Sequence, residues 1–218
     1  MDRTYYICSQ SPDIKPMEVR WDFIPTAQIS AYRWMNNGYR PHAEAQLTYL
    51  PAYGFLLRMT CKEQEPRAVY RQYNDPVYTD SCLEFFAAWA DGCPVEGDRR
   101  DTRYMNMEMN ANGALLSAIG TGRELRIPVR TVTGGDIPQV KATVCPQDWS
   151  VTALIPSRLL ERLYGISAET FKSGYRFHGN FYKCGDDTPQ PHYGMWSPVL
   201  TEKPDFHRPE YFGELVML

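Results

Sequence analysis

Two acidic residues lie inside segments that have the sequence pattern of β-strands. Glu84 stands within the apolar run Cys-Leu-Glu-Phe-Phe, and Glu108 stands within the alternating segment YMNMEMN. A carboxylate in an apolar strand is costly to bury unless a neighbouring group pairs with it. A partly desolvated carboxylate can also accept strong, charge-assisted hydrogen bonds. Glu84 and Glu108 are therefore candidates for binding a ligand that is rich in hydroxyl groups.

The same two carboxylates permit a catalytic interpretation, in which they are the acid and the nucleophile of a glycoside hydrolase. That reaction requires two carboxyl groups at a defined separation, one of them with a raised pKa, and the sequence indicates neither property. Other catalytic motifs are absent, since the chain contains no GxSxG, GxxxxGK, HExxH or GxGxxG pattern. We therefore predict that the protein is not an enzyme, and we keep glycoside hydrolysis as the alternative.

Polar side chains accompany Glu108 on one face of its strand. Asn106 and Asn110 lie two residues to either side and hence on the same face, whereas three methionines occupy the opposite face. A polar row of this kind is usually a solvated outer face, but it can also form the floor of a binding site. The segment 175–182 carries a second polar row, which includes His178 and Asn180. Two such rows favour one concave sheet that both of them line.

Strands must position these residues, and the sequence predicts several. Alternating or apolar segments bounded by turn residues occur at 55–62, 81–89, 104–110, 149–155, 175–182 and 214–218. Asn112-Gly113 predicts a tight hairpin after the third of them. One short helix is predicted between Pro156 and Gly165, which suit its start and its end. This pattern predicts an all-β fold, a two-sheet β-sandwich or jelly roll with one short helix, as a single domain over residues 1–218.

Composition excludes several classes of partner. The net charge is −3 and no run of Lys or Arg occurs, which argues against nucleic acid. No stretch approaches the ~18 apolar residues of a membrane span. The N-terminal segment MDRTYYICSQ has no apolar region, which predicts a cytoplasmic protein unless an export leader was removed. The chain is rich in aromatic residues, with 15 Tyr, 9 Phe and 5 Trp, which suit both strand packing and contact with a ligand.

The cysteines and histidines do not form a recognisable metal motif. None of the six cysteines is in CxxC spacing, so we expect reduced thiols that behave as small hydrophobic residues. The histidines lack metal-ligand spacing, so a histidine metal site is not predicted. The residues concerned are Cys8, Cys61, Cys82, Cys93, Cys145 and Cys184, together with His42, His178, His192 and His207.

Three segments resemble the family 9 carbohydrate-binding modules. The run from Asp80 to Phe86 resembles the strand of that family in which Asp-Ser is followed by Glu and Phe. The segment 104–113 resembles the next strand. The C-terminal part, with Asn-Phe-Tyr at 180–182, Trp-Ser-Pro at 196–198 and FHRPEYFG at 206–213, resembles the end of these modules. The matches follow one another in order over residues 75–218.

The resemblance implies a jelly-roll-like sandwich of the DOMON-like kind that binds mono- or oligosaccharides, or the ends of polysaccharides, and has a role in carbohydrate catabolism. In this family a sugar lies between two aromatic rings, and polar side chains bind its hydroxyl groups. The aromatic positions fall on Phe206 and Tyr78, where the family has Trp. The Arg of the family's second strand falls on Glu108, which reverses the charge. The predicted ligand-binding residues are Glu84, Asn110, Phe206, Tyr78, Glu108, Asn106, Asn180 and Trp196.

Two further ligands follow from the resemblance. Family members can hold structural calcium in loops, for which Asp98, Asp101, Asp186 and Asp187 are available, although their spacing matches no EF-hand. Sandwiches of the DOMON-like kind can also hold haem, which would require axial ligands such as a methionine with His178 or His207. Haem or another small ligand is therefore an alternative to carbohydrate.

Overall fold

The computed structural model describes residues 3–90 and 103–218, and β-strands dominate it. In chain order the strands are β1 (Thr4–Ser9), β2 (Ala27–Ile29), β3 (Ala31–Tyr32), β4 (His42–Leu50), β5 (Gly54–Lys62), β6 (Cys82–Ala88), β7 (Tyr104–Asn110), β8 (Leu115–Gly120), β9 (Ile127–Pro128), β10 (Gln139–Val144), β11 (Trp149–Pro156), β12 (Arg176–Cys184), β13 (Tyr193–Met195) and β14 (Gly213–Met217). Helix α1 (Val129–Thr133) follows β9, and helix α2 (Ser157–Tyr164) follows β11. The predicted all-β fold is confirmed, and each predicted strand occurs within two residues of its expected bounds.

The strands form two sheets that share β1. The front sheet has the order β1-β14-β12-β6-β7-β8-β9, and the back sheet has the order β1-β4-β5-β11-β10. The first part of β1 pairs with β14 in parallel, from Thr4 opposite Glu214 to Ile7 opposite Met217. Its last two residues pair with β4, also in parallel. Strand β2 lengthens the back sheet beside β4, and β13 continues the front sheet beside β12. The result is a sandwich whose first strand crosses from one layer to the other.

The faces that the two sheets turn toward each other form the main hydrophobic core. Strand β7 contributes the three methionines of the alternating segment, and β12 contributes Phe177 and Phe181. The back sheet contributes Phe55 and Trp149, both fully buried. Because side chains alternate along a strand, the residues between these point to the outer face of the front sheet.

The predicted short helix is confirmed as α2. It starts after Pro156 and ends at Gly165, which adopts the left-handed conformation (φ 72°) usual for a helix C-terminus. Three leucines on one side of α2 are buried against the core. The five-residue α1 was not predicted, because so short a helix has no full period of apolar residues.

The outer face of the front sheet is covered and not solvated. The polar row on β7 is buried throughout, with Asn110 fully inaccessible and Glu108 only 4% exposed. The largely irregular segment 196–212 lies over this face and forms a second apolar cluster with outward-facing strand residues. That cluster includes Phe86, Tyr182 and Phe206. A covered outer face is what allows a cavity to form there.

The described cysteines Cys8, Cys61, Cys82, Cys145 and Cys184 are free thiols. Three of them are buried like small hydrophobic residues, as expected, whereas Cys8 is partly exposed and Cys145 is exposed. Cys93 lies outside the described residues. Among the helices of the two described ranges, none is long and apolar enough to cross a membrane.

Candidate functional site

A cavity of about 630 Å³ lies between the outer face of the front sheet and the segment that covers it. Strands β6, β7 and β8 form its floor. The covering segment and the loop after β8 form its walls. Its lining consists of Tyr78, Glu84, Phe86, Asn106, Glu108, Leu116, Ala118, Arg123, Arg126, Cys184, Asp186, Tyr193, Lys203, Pro204, Asp205, Phe206 and His207. Five of the eight predicted ligand-binding residues are in this lining: Glu84, Glu108, Asn106, Tyr78 and Phe206.

Two buried carboxyl groups lie side by side on the floor. Glu84 on β6 is directly opposite Glu108 on β7 in the antiparallel pair. Burial raises the pKa of Glu108 to about 7, although the hydrogen bond from Asn106 and the positive charge of Arg126 both act to lower it. Burial also raises the pKa of Glu84 well above its usual range, and the neighbouring Cys184 and Glu108 raise it further. The floor can therefore offer both a protonated and an ionised carboxyl group near neutral pH.

Arg126 fixes the polar floor although nothing in the sequence marks it. Its Nε and Nη2 donate to Oδ1 of Asn106 at 3.0 and 2.6 Å, and its other N–H groups donate to backbone carbonyls. Its guanidinium lies 4.3 Å from the ring centre of Tyr104. With its oxygen held in this way, Asn106 donates through Nδ2 to Glu108 at 2.9 Å. The arrangement leaves the remaining lone pairs of the Glu108 carboxylate for a ligand in the cavity.

Aromatic rings form one wall. Phe206 is stacked on Tyr182 with a centroid distance of 4.1 Å and an interplanar angle of 12°. Tyr193 contacts Phe206 edge-on and also lines the cavity. Tyr78, which is 41% exposed, lies at the rim. Flat rings beside hydrogen-bonding groups suit a ligand with one apolar face and polar edges.

His207 is held in a neutral form inside the cavity. Its Nδ1 is 2.9 Å from the hydroxyl of Tyr104, and its ring lies against Phe86. Burial, together with the positive charges of Arg126 and Arg123, lowers the pKa of His207 to about 3. Among the described residues that line the cavity there is one histidine and no methionine, so the pair of haem ligands that we considered is not assembled here.

Charged residues surround the mouth of the cavity. Arg123 forms an ion pair with Asp205 at 3.6 Å and joins the loop after β8 to the covering segment. Asp186 lines the opposite part, and burial raises its pKa while a hydrogen bond with Tyr193 lowers it. These loop residues follow no strand or helix period, so the sequence alone could not select them, apart from Asp186 as a candidate calcium ligand.

The structure places three predicted residues outside the cavity lining. Asn110 is buried in hydrogen bonds with Asp80 and with the Tyr70 carbonyl, at 2.9 Å each. The side chain of Asn180 accepts a hydrogen bond from the backbone N–H of Ser197 and donates one to the backbone carbonyl of the same residue. Trp196 packs in the main core. Each of these side chains holds strands and loops together.

The Asp-Ser pair of the strand motif also has a structural environment. Asp80 is fully buried and accepts hydrogen bonds from the N–H groups of Val69 and Tyr70 at 2.9 and 3.0 Å. Ser81 donates to Glu63, which is also paired with buried Lys183 at 3.3 Å. The motif thus fixes the start of β6, and Glu84 is the member that reaches the cavity.

Two of the four aspartates named as available for calcium lie among the described residues. Asp98 and Asp101 lie outside the described residues. Asp186 lines the cavity, and Asp187 is its neighbour in the loop after β12. Within the described ranges, the residues that could share a metal ion are Cys82, Glu84 and Cys184, whose ligand atoms all lie within 4.8 Å of one another.

Several known proteins are similar to this chain. A proposed carbohydrate-binding protein from Bacteroides uniformis is 25% identical, with a TM-score of 0.78 and full coverage of both chains. A family 9 carbohydrate-binding module from Caldicellulosiruptor kristjanssonii in complex with glucose has a TM-score of 0.62 at 14% identity, over 99% of this chain and 96% of the module. The same kind of module in complex with cellotriose gives the same values over 99% and 93%. No curated protein matches the chain significantly.

The family is shown by a direct sequence match. The model of carbohydrate-binding family 9 matches residues 13–217, which is nearly the whole chain. The fold of the Caldicellulosiruptor modules agrees with the sandwich described above. The chain therefore belongs to carbohydrate-binding family 9.

Proposed function

We propose that the protein binds carbohydrate in the cavity of the front sheet and does not transform it. The observation that carries this proposal is the combination of the Glu84–Glu108 floor with the Phe206 wall in one cavity. A pyranose ring has an apolar face that can lie on an aromatic ring and edge hydroxyl groups that can donate to carboxylates. The volume of about 630 Å³ suits a mono- or short oligosaccharide. The glucose and cellotriose complexes of the Caldicellulosiruptor modules support the same ligand class.

The positions of the two carboxyl groups argue against glycoside hydrolysis. A glycosidase has its two carboxyl groups on flanking sides of the scissile bond. Glu84 and Glu108 lie opposite each other on adjacent strands of one floor and would approach a sugar from the same side. Their geometry suits hydrogen bonding to adjacent hydroxyl groups, and it does not suit attack and protonation across a glycosidic bond.

The test is calorimetric titration with glucose, cellotriose and other mono- and oligosaccharides, in a buffer that contains a metal chelator. We expect saturable binding to the wild type and a roughly 10- to 100-fold weaker affinity for Glu84→Ala, because a buried hydroxyl group of the ligand that loses its hydrogen-bond partner costs about 1–3 kcal/mol. Phe206→Ala should weaken binding in the same direction.

The matched controls are Glu161→Ala, on the exposed side of α2, and Phe23→Ala, whose ring is 67% exposed. Both variants should bind like the wild type. A folded wild type that binds no saccharide, or a Glu84→Ala variant with unchanged affinity, would refute the proposed site.

A further inference from the structure

Two cysteines and a glutamate meet at the floor of the cavity. Cys82 on β6 is directly opposite Cys184 on β12, so the two thiols are cross-strand neighbours. Glu84 lies two residues after Cys82 and hence on the same face of β6. The two Sγ atoms and a carboxylate oxygen all lie within 4.8 Å of one another, and all three residues are buried. The strand register alone therefore brings three metal-ligating groups together.

Among the described residues, the groups that act most strongly on the charge of Glu84 include no positive one. Its hydrogen-bond partner is the Cys184 thiol, whose Sγ is 2.8 Å from Oε1. The other groups that act on its charge are the carboxylates of Glu108 and Asp186, and these are also acidic. A buried carboxylate beside two thiols and two further acids is an environment that a cation would stabilise. Arg126, whose charge acts on Glu108, is already occupied by Asn106 and three backbone carbonyls.

An ion can reach this cluster from the cavity. Glu84 and Cys184 are both part of the cavity lining, and Cys82 lies behind them in the second apolar cluster. Three protein ligands with an accessible fourth position form the coordination pattern of an open tetrahedral zinc site. Thiolate ligands select soft or borderline metal ions over calcium and magnesium. The donor set therefore indicates Zn²⁺ and differs from the oxygen-only loops that calcium prefers.

We propose that Cys82, Glu84 and Cys184 bind Zn²⁺ at the floor of the cavity, with water in the fourth position. Binding requires both thiols and the carboxyl group in their deprotonated forms, so each releases its proton to solvent as the ion enters. Two thiolates and a carboxylate together carry three negative charges, which more than balance the two positive charges of the ion. The site does not depend on carbohydrate binding, because its three ligands are all supplied by the protein.

The test uses tag-free, fully reduced protein in the absence of saccharide. Co²⁺ serves as the spectroscopic probe, and Zn²⁺ is then added in competition. We expect thiolate-to-cobalt charge-transfer absorption and the visible bands of tetrahedral Co²⁺, which one equivalent of Zn²⁺ should abolish. Cys184→Ala and Cys82→Ala should lose the charge-transfer absorption. Cys145→Ala, which removes an exposed thiol, is the matched control and should keep it.

A second measurement on the wild type keeps the proposal testable if those variants fold poorly. Zn²⁺ should protect Cys82 and Cys184 from alkylation in partially denaturing conditions, whereas Cys145 should react at the same rate with and without the ion. The proposal is overturned by a wild type that shows no thiolate-to-cobalt absorption, or by equal alkylation of Cys184 in both conditions. Because no sugar is present and the saccharide titrations contain a chelator, either proposal can fail without affecting the other.

Discussion

At the scale of residues, the site depends on acids that the fold holds in an unusual protonation state. Glu84 and Glu108 are almost inaccessible, and each lies on a strand whose other face is wholly apolar. Desolvation disfavours the charged form of a carboxyl group and thereby raises its pKa. Asn106 and Arg126 oppose this effect at Glu108 but not at Glu84. The two acids are therefore chemically distinct although they are cross-strand neighbours.

The raised pKa of Glu108 predicts a specific pH dependence of stability. Its pKa is about 7 in the folded protein and 4.5 when unperturbed, so between these values the folded state keeps a proton that the unfolded state has lost. The free energy of unfolding should therefore fall as the pH rises from 4.5 to 7, by roughly 2–4 kcal/mol from this group. Glu108→Gln should remove this part of the decrease. Urea denaturation of both proteins at pH 5 and pH 8 measures it.

Glu161→Gln is the control for that experiment, because it removes a carboxyl group from an exposed helix position. Its stability should follow the pH profile of the wild type. A Glu108→Gln variant that lost as much stability between the two pH values as the wild type would show that Glu108 ionises normally.

The part of the site that lies on strands is predictable from the sequence, whereas the part that lies on loops is not. Glu84, Asn106 and Glu108 could be found because the two-residue period of a strand assigns them to one face. Asn110 shares that face but is drawn into the Asp80 network at the end of the strand. Arg126 could not be found, because its position follows from loop contacts that have no sequence period.

At the scale of elements, the same contrast holds. Strands β5, β7 and β11 were predictable because apolar and polar residues alternate along them. The segment 196–212 has almost no regular structure, yet it converts the outer face of the front sheet into a cavity. Its position is determined by where Val199, Phe206 and Phe212 pack, which is a long-range property.

Gly213, at the start of β14, has no room for a side chain, so we expect even an alanine at this position to lower the stability of the protein. A Cβ atom at Gly213 would lie 2.6 Å from Cη2 of Trp196 and 2.8 Å from the carbonyl oxygen of Arg3. Gly213→Ala should therefore destabilise the protein by about 1–3 kcal/mol, because neither the core ring nor the backbone just before β1 can move aside easily. Thermal unfolding should show a decrease in Tm of roughly 3–10 °C.

Gly122→Ala is the matched control, since a Cβ atom there would meet nothing within 4 Å. Its Tm should stay close to that of the wild type. An unchanged Tm for Gly213→Ala would contradict the close contact between Trp196 and the start of β14.

At the scale of the whole molecule, the junction between the two sheets depends on Tyr5. Strand β2 pairs with β4 up to Ala45, and β1 pairs with β4 from Thr48 onward. The backbone N–H of Leu47 falls in the gap between them and donates to the Tyr5 hydroxyl at 2.8 Å. That hydroxyl in turn donates to the Pro25 carbonyl at 2.6 Å. The Tyr5 hydroxyl on β1 is therefore the hydrogen-bond partner of a backbone N–H group that neither β1 nor β2 pairs with at the edge of the back sheet.

Tyr5→Phe should consequently destabilise the protein by about 1–3 kcal/mol, because it leaves buried backbone groups without a partner. Tyr6→Phe, at an adjacent position that is 51% exposed, is the control and should have little effect. Chemical denaturation of the two variants compares them directly. Equal stabilities would contradict the role of the Tyr5 hydroxyl at the sheet junction.

The parallel pairing of β1 with β14 has a consequence for how the chain folds. Residues near position 5 obtain their front-sheet partner only from residues near position 215, so this pairing closes a loop of almost the full length of the chain. Contacts of such long sequence separation slow folding, and they cannot form during synthesis until the distant segment has left the ribosome. Until then, the β1 edge of the back sheet and the β12 edge of the front sheet remain open to other chains. Completion of β14 is thus the event that converts an aggregation-prone nascent chain into a closed sandwich.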